Sequence, residues 1–236
     1  MMRVTFLGHS GFLVETETAL LLFDWHKGEL PALPNKPLLV FASHQHKDHF
    51  NPRIFALDDG SREVRFFLGN GLVLTEHRKQ RWNISPETAA RCHVMNGGET
   101  ASALGITVET LTSTDEGVAF LVTCGGMTVY HAGDLNWWHW EGEDPLWNEN
   151  MAADFKRYIE PLRNRRIDLA FAPLDPRQED SADWGFRYLL NLADIRRIVP
   201  MHQWEDPTPT RIFCREYPAL SAAVVPMETL GQILEF

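Results

Sequence analysis

A dense group of potential metal ligands follows one apolar segment in the first quarter of the chain. After residues 39–42 come His44, His46, Asp48 and His49. In a core, each imidazole and carboxylate of this set would require a polar partner. On a loop, the spacing lets His44 and His46 point the same way while Asp48 and His49 face a second position. Such a set of nitrogen and oxygen donors is typical of sites for Zn²⁺, Mn²⁺ or iron.

Three more apolar segments end in residues of the same kind. His131 and Asp134 stand at the end of one segment, Asp175 follows another, and His202 follows a third. In α/β sheets, binding sites form beyond the carboxyl ends of the strands. If these segments are neighbouring strands, their ends bring the ligands to one point. The sequence therefore predicts a metal site assembled from distant parts of the chain.

The segments that would position these residues alternate between short strands and helices. Strands are predicted at residues 3–7, 12–15, 19–23, 37–42, 64–68, 91–95, 106–111, 118–124, 127–131, 168–172 and 197–200, with a last one near Ile233. Helices are predicted at residues 51–57, 73–81, 151–163, 186–192 and 211–217. Strands followed by helices in both halves favour a layered α/β or α+β architecture, in one domain over residues 1–236.

The composition of the chain disfavours several classes of protein. A chain of 236 residues, 44% of them hydrophobic, is long enough to bury a full core. The formal net charge of -10 disfavours a general nucleic-acid binder, which needs a basic surface. The separated cysteines Cys92, Cys124 and Cys214 and the lack of a visible secretory signal predict a cytoplasmic protein. The apolar runs are too short for a membrane span, and the oligomeric state is left open.

The motifs and their order resemble the metallo-β-lactamase fold superfamily of metallohydrolases. Residues 44–49 are similar to its first metal motif, Gly133 and Asp134 to the motif whose aspartate bridges two metals, and His202 to its last histidine ligand. Residues 6–12 resemble a group of small hydrolases that includes L-ascorbate-6-phosphate lactonase. The resemblance implies a four-layer αββα sandwich with the site at one edge between two mixed sheets. It also implies one or two divalent ions, with Zn²⁺ expected first and Mn²⁺ or iron as alternatives.

One ligand that the resemblance leads us to expect is absent. The superfamily usually has a histidine between the first motif and the bridging aspartate, whereas residues 111–118 contain none. Asp115 could replace it as an oxygen ligand or could form an ordinary turn or cap, and His139 could approach instead. His9 and His131 are interpreted as additional ligands or as groups that hydrogen-bond to ligands or substrate.

Residues suited to a substrate follow two of the strand ends. Trp137 and Trp138 begin a tryptophan-rich segment after Asp134, which could form a wall over the site or could pack a helix onto a sheet. Asp175 and Arg177 are the candidates for polar contacts with a substrate near the mouth of the site.

The predicted function is hydrolysis of an ester, lactone or phosphoester bond in a small molecule by a metal-activated hydroxide. A bound metal lowers the pKa of water to about 7, and Asp48 could orient that water or accept its proton. Two alternatives remain open. One is a metal-binding or sensing protein with little or no catalysis, because a ligand is missing. The other is a small tRNA-type nuclease, which the acidic charge disfavours.

Overall fold

Two mixed β-sheets form the centre of the computed structural model, which describes residues 2–236. The strands of the first sheet are β1 (Arg3–Gly8), β2 (Gly11–Glu15), β3 (Leu20–Phe23), β4 (Leu38–Ala42), β5 (Val64–Gly69), β6 (Cys92–Met95) and β15 (Ile233–Glu235). Their order is β15-β1-β2-β3-β4-β5-β6, and β3 to β6 run parallel. The carboxyl ends of β3 and β4 therefore lie at the same edge of this sheet.

The second sheet is built from the middle of the chain. Its strands are β7 (Thr100–Ala103), β8 (Ile106–Thr112), β9 (Val118–Cys124), β10 (Met127–His131), β12 (Leu169–Pro173) and β14 (Ile198–Met201). The order is β14-β12-β10-β9-β8-β7, with β10, β12 and β14 parallel. Two short strands, β11 (Arg166–Ile167) and β13 (Asp194–Ile195), form a separate parallel pair.

Helices flank both sheets. The α-helices are α1 (Glu76–Arg81), α2 (Pro86–Ala89), α3 (Pro145–Ile159), α4 (Trp184–Leu192), α5 (Thr208–Glu216) and α6 (Pro218–Ser221). Four 3₁₀ segments cover Pro52–Leu57, Asn70–Leu72, Glu160–Leu162 and Pro176–Ser181. Within residues 2–236, we find no helix with the length and apolar content needed to cross a bilayer.

Alternate residues of the central strands face two different cores, because successive side chains of a strand point to opposite sides. Phe23 belongs to the large cluster between the sheets, where its ring centroid lies 6.2 Å from that of Phe171 in β12. Leu22 belongs to a second cluster, shared with Ile54 and Phe55 of the first 3₁₀ segment. Strands covered on both faces leave only their ends free for polar residues. The predicted architecture of two mixed sheets with flanking helices is confirmed.

One difference from the predicted elements concerns the bounds of α3. The apolar pattern predicts a helix at 151–163 with an end or kink at Pro161, whereas α3 begins at Pro145 and ends at Ile159, followed by one 3₁₀ turn. The earlier start is stabilised by the Asp144 side chain, which accepts a hydrogen bond of 2.7 Å from the Leu146 amide. The earlier end follows from Pro161, which cannot continue an α-helix.

Candidate metal centre

The potential ligands gather into two adjoining groups at the edge where the strand ends meet. The first group contains His44, His46 and Asp134. The second group contains His9, Asp48, His49 and His202. In each group, one potential ligand atom from every member lies within 4.8 Å of the others. The loop after β4 contributes residues to both groups. The remaining members follow strands of the first sheet or of the second sheet.

Asp134 joins the two groups through its two carboxylate oxygens. Its Oδ2 atom lies 3.4 Å from His44 Nε2 in the first group. Its Oδ1 atom lies 3.1 Å from His49 Nε2 and 3.5 Å from His202 Nε2 in the second group. A carboxylate that presents one oxygen to each group has the arrangement needed to bridge two cations.

Several of these donor atoms have no hydrogen-bond partner within the described part of the chain. They are His9 Nε2, His44 Nε2, His49 Nε2 and Asp134 Oδ1, all buried. Burying a polar atom without a partner costs about 1–3 kcal/mol, so several such atoms facing one another need a common partner. Imidazole nitrogens and carboxylate oxygens together suit a divalent transition metal. The residues therefore fit a metal centre.

The charge interactions inside the centre also indicate a place for a cation. Burial opposes ionisation of Asp134, but the neighbouring His49 and His202 outweigh it and hold the pKa of its carboxyl well below the usual value. Burial likewise opposes protonation of His49, but Asp134 and Asp24 raise its pKa well above the usual value. Metal binding at His49 Nε2 would therefore displace a proton from this imidazole. Burial lowers the pKa of His44 to about 4, which keeps that imidazole neutral and able to bind metal.

Asp24 and Ser43 orient two of the histidines. Asp24 Oδ2 accepts a hydrogen bond of 2.7 Å from His49 Nδ1, and Ser43 Oγ lies 2.9 Å from His44 Nδ1. Ser43 in turn donates to Asp24 through its hydroxyl and its amide, at 2.7 and 2.8 Å. These contacts leave the Nε2 atoms free for a metal. Sequence reasoning missed Asp24, although it directly follows the apolar strand β3 as the other ligands follow theirs.

Asp175 orients His202 in the same way. Its Oδ2 atom lies 2.9 Å from His202 Nδ1 and accepts a hydrogen bond of 2.5 Å from Arg177 Nη2. Burial raises the pKa of Asp175, but the bonds from His202 and Arg177 outweigh it and lower that pKa to about 2. The structure places Asp175 fully buried behind His202, and not in the wall of a pocket where the sequence analysis expected it.

Two histidines that were considered as ligands lie outside both groups. His131 is buried, with Nε2 2.9 Å from the carbonyl oxygen of Ser10 and Nδ1 accepting the Gly133 amide at 3.2 Å. It therefore shapes the turn that carries Asp134. His139 packs against Trp184, with ring centroids 4.7 Å apart.

A cavity of about 160 Å³ opens directly onto the centre. Asp134 and His202 form part of its wall, and the remaining lining residues are Thr114, Asp115, Trp138, Trp140, Trp147, Met151 and Arg177. The rings of Trp138 and Trp140 are stacked with centroids 5.8 Å apart, and Trp138 Nε1 donates to the carbonyl of Asp134. We call this cavity the tryptophan pocket.

Trp137 was expected beside Trp138 but lies elsewhere. Its ring packs against Phe155, Trp184 and Tyr188, so it joins α3 to α4. Consecutive tryptophans in this segment thus face different surroundings, one in the core and the next in the pocket.

The missing histidine has no direct replacement among the nearest carboxylates. Asp115 lines the tryptophan pocket but contributes no atom to either ligand group. Glu116 Oε2 approaches His46 Nε2 to 3.8 Å, on the exposed side of the first group. Partial burial and the charge of Asp134 raise the pKa of Asp115. The first group is therefore open on the side of Asp115 and Glu116.

A larger cavity of about 320 Å³ meets the ligand groups only at His9. Apolar residues in its lining include Phe6, Met227 and Leu230, and Trp204 also lines it. The Trp204 ring lies 4.7 Å from the His9 ring, and the guanidinium of Arg177 lies 4.5 Å from the Trp204 ring centre on the side of the tryptophan pocket. Trp204 thus stands between the two cavities.

Three glycines allow the chain to close tightly around Ser43. A Cβ atom on Gly69 or Gly117 would lie 1.9 Å from the Ser43 carbonyl oxygen. A Cβ atom on Gly133 would lie 2.7 Å from the Ser43 Cβ atom. Side chains at these positions would push the first metal motif away from Asp134.

Comparisons with known proteins agree with this geometry. The family described as "Beta-lactamase superfamily domain" matches residues 3–139. A relative from Desulforamulus reducens, named UPF0173 metal-dependent hydrolase, is 31% identical over 88% of this chain and 89% of its own. A relative of the same description from Thermococcus kodakarensis is 26% identical over 86% of this chain and 84% of its own.

Solved structures share the fold at lower sequence identity. Igni18, a metallo hydrolase from Ignicoccus hospitalis, superposes with a TM-score of 0.63 at 19% identity, covering 100% of this chain and 99% of the other. The metallo-beta-lactamase fold protein YhfI from Bacillus subtilis gives a TM-score of 0.63 at 16% identity, covering 99% and 98%. The prediction of a metallo-β-lactamase-like fold is thereby confirmed.

Proposed function

The chain belongs to the beta-lactamase superfamily domain family, and we propose that it is a metal-dependent hydrolase that cleaves an ester, lactone or phosphoester bond of a small molecule. The observation that carries this proposal is the pair of ligand groups joined by the two oxygens of Asp134. Such a pair of positions is suited to hydrolysis, because two cations can act on the attacking and the leaving oxygen.

In this proposal, one position is held by His44, His46 and Asp134, and the other by Asp48, His49 and His202 with Asp134 shared. Divalent ions bound there supply an acidified water and a Lewis acid for the scissile bond. Zn²⁺ is the first expectation for the native ion, with Mn²⁺ or iron as alternatives, because the donors are imidazoles and carboxylates without thiolates.

Asp48 is the residue proposed to act on the water. Its side chain is 30% exposed, more than any other carboxylate in the two groups. Burial raises the pKa of Asp48, but the nearby imidazoles of His9 and His49 outweigh it and keep that pKa below its usual value. A carboxylate that stays ionised orients a water and binds metal well, but stores a proton poorly at neutral pH. We therefore assign Asp48 to orientation and ligation.

The tryptophan pocket is the proposed substrate site, because Asp134 and His202 form part of its wall. Trp138 and Trp140 offer flat apolar faces, and Arg177 is the cation of this wall. That cation is already paired with Asp175, at 2.5 Å. A phosphoester would have to compete with Asp175 for Arg177, so the pocket favours an uncharged ester or lactone.

Hydrolysis is tested by metal analysis of the purified protein and by assays on p-nitrophenyl acetate, a γ-lactone and bis(p-nitrophenyl) phosphate. We expect a stoichiometric transition metal and ester or lactone hydrolysis that chelation abolishes and Zn²⁺ or Mn²⁺ restores. His49→Gln should remove the activity, because its imidazole faces Asp134 in the centre. His139→Gln is the matched control, since His139 lies outside both groups, and should keep it.

Two results would overturn the proposal in different ways. Protein that holds no transition metal, and that does not respond to loading, would exclude metal-dependent hydrolysis. Protein that binds metal but turns over none of these substrates would favour the alternative of a metal-binding or sensing protein. The similarity to the L-ascorbate-6-phosphate lactonase group, the single domain and the cytoplasmic location stay predictions.

A further inference from the structure

His9 belongs to the second ligand group although it lies outside the metal motifs of the sequence. It comes from the turn between β1 and β2 and has a left-handed backbone with φ of 55°. Its carbonyl accepts the His202 amide at 3.4 Å, and the carbonyl of the next residue, Ser10, faces His131 Nε2 at 2.9 Å. A non-glycine residue in this conformation is strained and persists only where its surroundings hold it.

The imidazole of His9 is directed into the centre. Its Nε2 atom is 3.4 Å from Asp48 Oδ2, and its side chain is 5% exposed. That nitrogen is buried and has no hydrogen-bond partner of acceptable geometry among the residues described. The ring lies 4.1 Å from the ring of His202 and 4.7 Å from that of Trp204, which fixes its direction.

The two groups therefore differ in the number of potential metal ligands that they contain besides Asp134. Apart from the shared Asp134, the first group has only His44 and His46, and its open side faces Asp115 and Glu116. The second group has four donors of its own. They are His9, Asp48, His49 and His202.

We propose that His9 is a ligand of the second metal position, and that the two positions are unequal as a result. The second position binds an ion tightly and closes around it. The first binds its ion weakly, exchanges it and keeps a coordination place open toward the tryptophan pocket. This inference rests on the proposed function, because it assumes that the groups hold metal ions.

General properties of metal sites support the division. Four protein ligands typically close a site, whereas catalytic sites keep fewer protein ligands and one open place. The first position also has the more exposed histidine, because the His46 side chain is 44% accessible, whereas the histidine side chains of the second position are buried. The open side of the first position borders Asp115, which lines the tryptophan pocket, so substrate in that pocket can reach the open place.

The test is titration of chelator-treated protein with Co²⁺, followed by visible absorption and by calorimetry. For the unchanged protein we expect one tight equivalent and a second that binds at least tenfold more weakly. His9→Phe keeps a ring against His202 and Trp204 but removes the nitrogens, and should weaken the tight equivalent at least tenfold and change its absorption band. His9→Asn, which tolerates the left-handed backbone, should do the same if His9→Phe folds poorly.

Two further variants make the result specific. His46→Ala should abolish the weak equivalent and leave the tight one unchanged. His26→Phe is the matched control, because the His26 ring lies 6.0 Å from that of His9 but outside both groups, and should alter neither equivalent.

Each outcome decides a separate question. Two equivalents of equal affinity, or a His9→Phe protein with an unchanged tight equivalent and spectrum, would overturn this inference and leave the hydrolase proposal standing. In that case His9 only lies beside Asp48 and does not bind the metal. An unchanged protein that binds no Co²⁺ would instead overturn the proposed function itself.

Discussion

At the scale of single residues, the ligands are held by carboxylates behind them. Asp175 fixes the Nδ1 side of His202 and is itself fixed by Arg177. Removing such a partner typically weakens metal binding 10- to 100-fold, because the ligand ring loses its orientation and tautomer. The contacts behind the histidines are therefore part of the metal centre.

The variant Asp175→Asn tests this role. It keeps the size of the side chain but removes the charge that stabilises the His202 Nδ1 proton. We expect metal affinity to fall about 10- to 100-fold, measured by competition with a chelator at pH 7. Asp180→Asn, an exposed change in the 3₁₀ segment that Asp175 caps, serves as the control. Equal affinities of the two variants would contradict the assignment.

Residue types and spacing predicted part of the centre but not its supporting contacts. Polar residues at strand ends predicted His44, His49, Asp134 and His202, because a core cannot hold such residues without partners. Asp24 was missed because a lone aspartate after a strand is typical of ordinary turns. Only the parallel pairing of β3 with β4 brings it beside His49.

At the scale of elements, the first metal motif depends on close packing around Ser43. Gly117 precedes β9 with φ of 71°, a conformation that favours glycine, and stands against the Ser43 carbonyl. The loop after β4 and the start of β9 thus approach each other more closely than side chains would allow.

Gly117→Ala should therefore destabilise the protein by at least about 3 kcal/mol, from the strained φ and from the overlap with Ser43. Gly98→Ala is the matched control. Its φ of 83° is also left-handed, but an added Cβ would meet nothing within 4 Å, so only about 1 kcal/mol should be lost. Urea unfolding of both variants gives the comparison, and similar losses would show that packing around Ser43 is unimportant.

Periodicity predicted the long strands better than the helix ends. Strands such as β4 and β12 are continuous apolar runs, because both of their faces are covered. The start of α3 was missed because its first turn, including Leu146 and Trp147, is exposed and does not follow the apolar stripe. The edge strand β7 was missed for a similar reason, since its residues are small and half exposed.

At the scale of the whole molecule, histidine burial makes the stability of the metal-free protein depend on pH. Burial lowers the pKa of His44 and of His26 to about 4, and also lowers that of His131. Their value in an unfolded chain is near 6.5. Below pH 6.5 the unfolded chain takes up protons that the folded chain excludes. The contribution of these histidines to stability is therefore fully present above pH 6.5 and is lost as the pH falls toward 4.

We expect the free energy of unfolding of chelator-treated protein to fall by at least about 2 kcal/mol between pH 7 and pH 5. His49 offsets only a small part of this loss, because the stability from its raised pKa grows only slightly below pH 7 and is fully present below 6.5. Urea unfolding at pH 7, 6 and 5 provides the measurement. Stability that is constant or rises on acidification would contradict the burial of neutral histidines.

The donors of the metal centre come from both sheets and from nearly opposite ends of the chain. His9 follows the first strand, whereas His202 follows the last strand of the second sheet. Bringing such distant segments together costs loop entropy that is recovered only after the sheets have packed. A partly synthesised or partly folded chain therefore offers no complete site to an ion. If the centre holds metal as proposed, full occupancy follows the packing of both sheets, and it would distinguish finished molecules from unfinished ones.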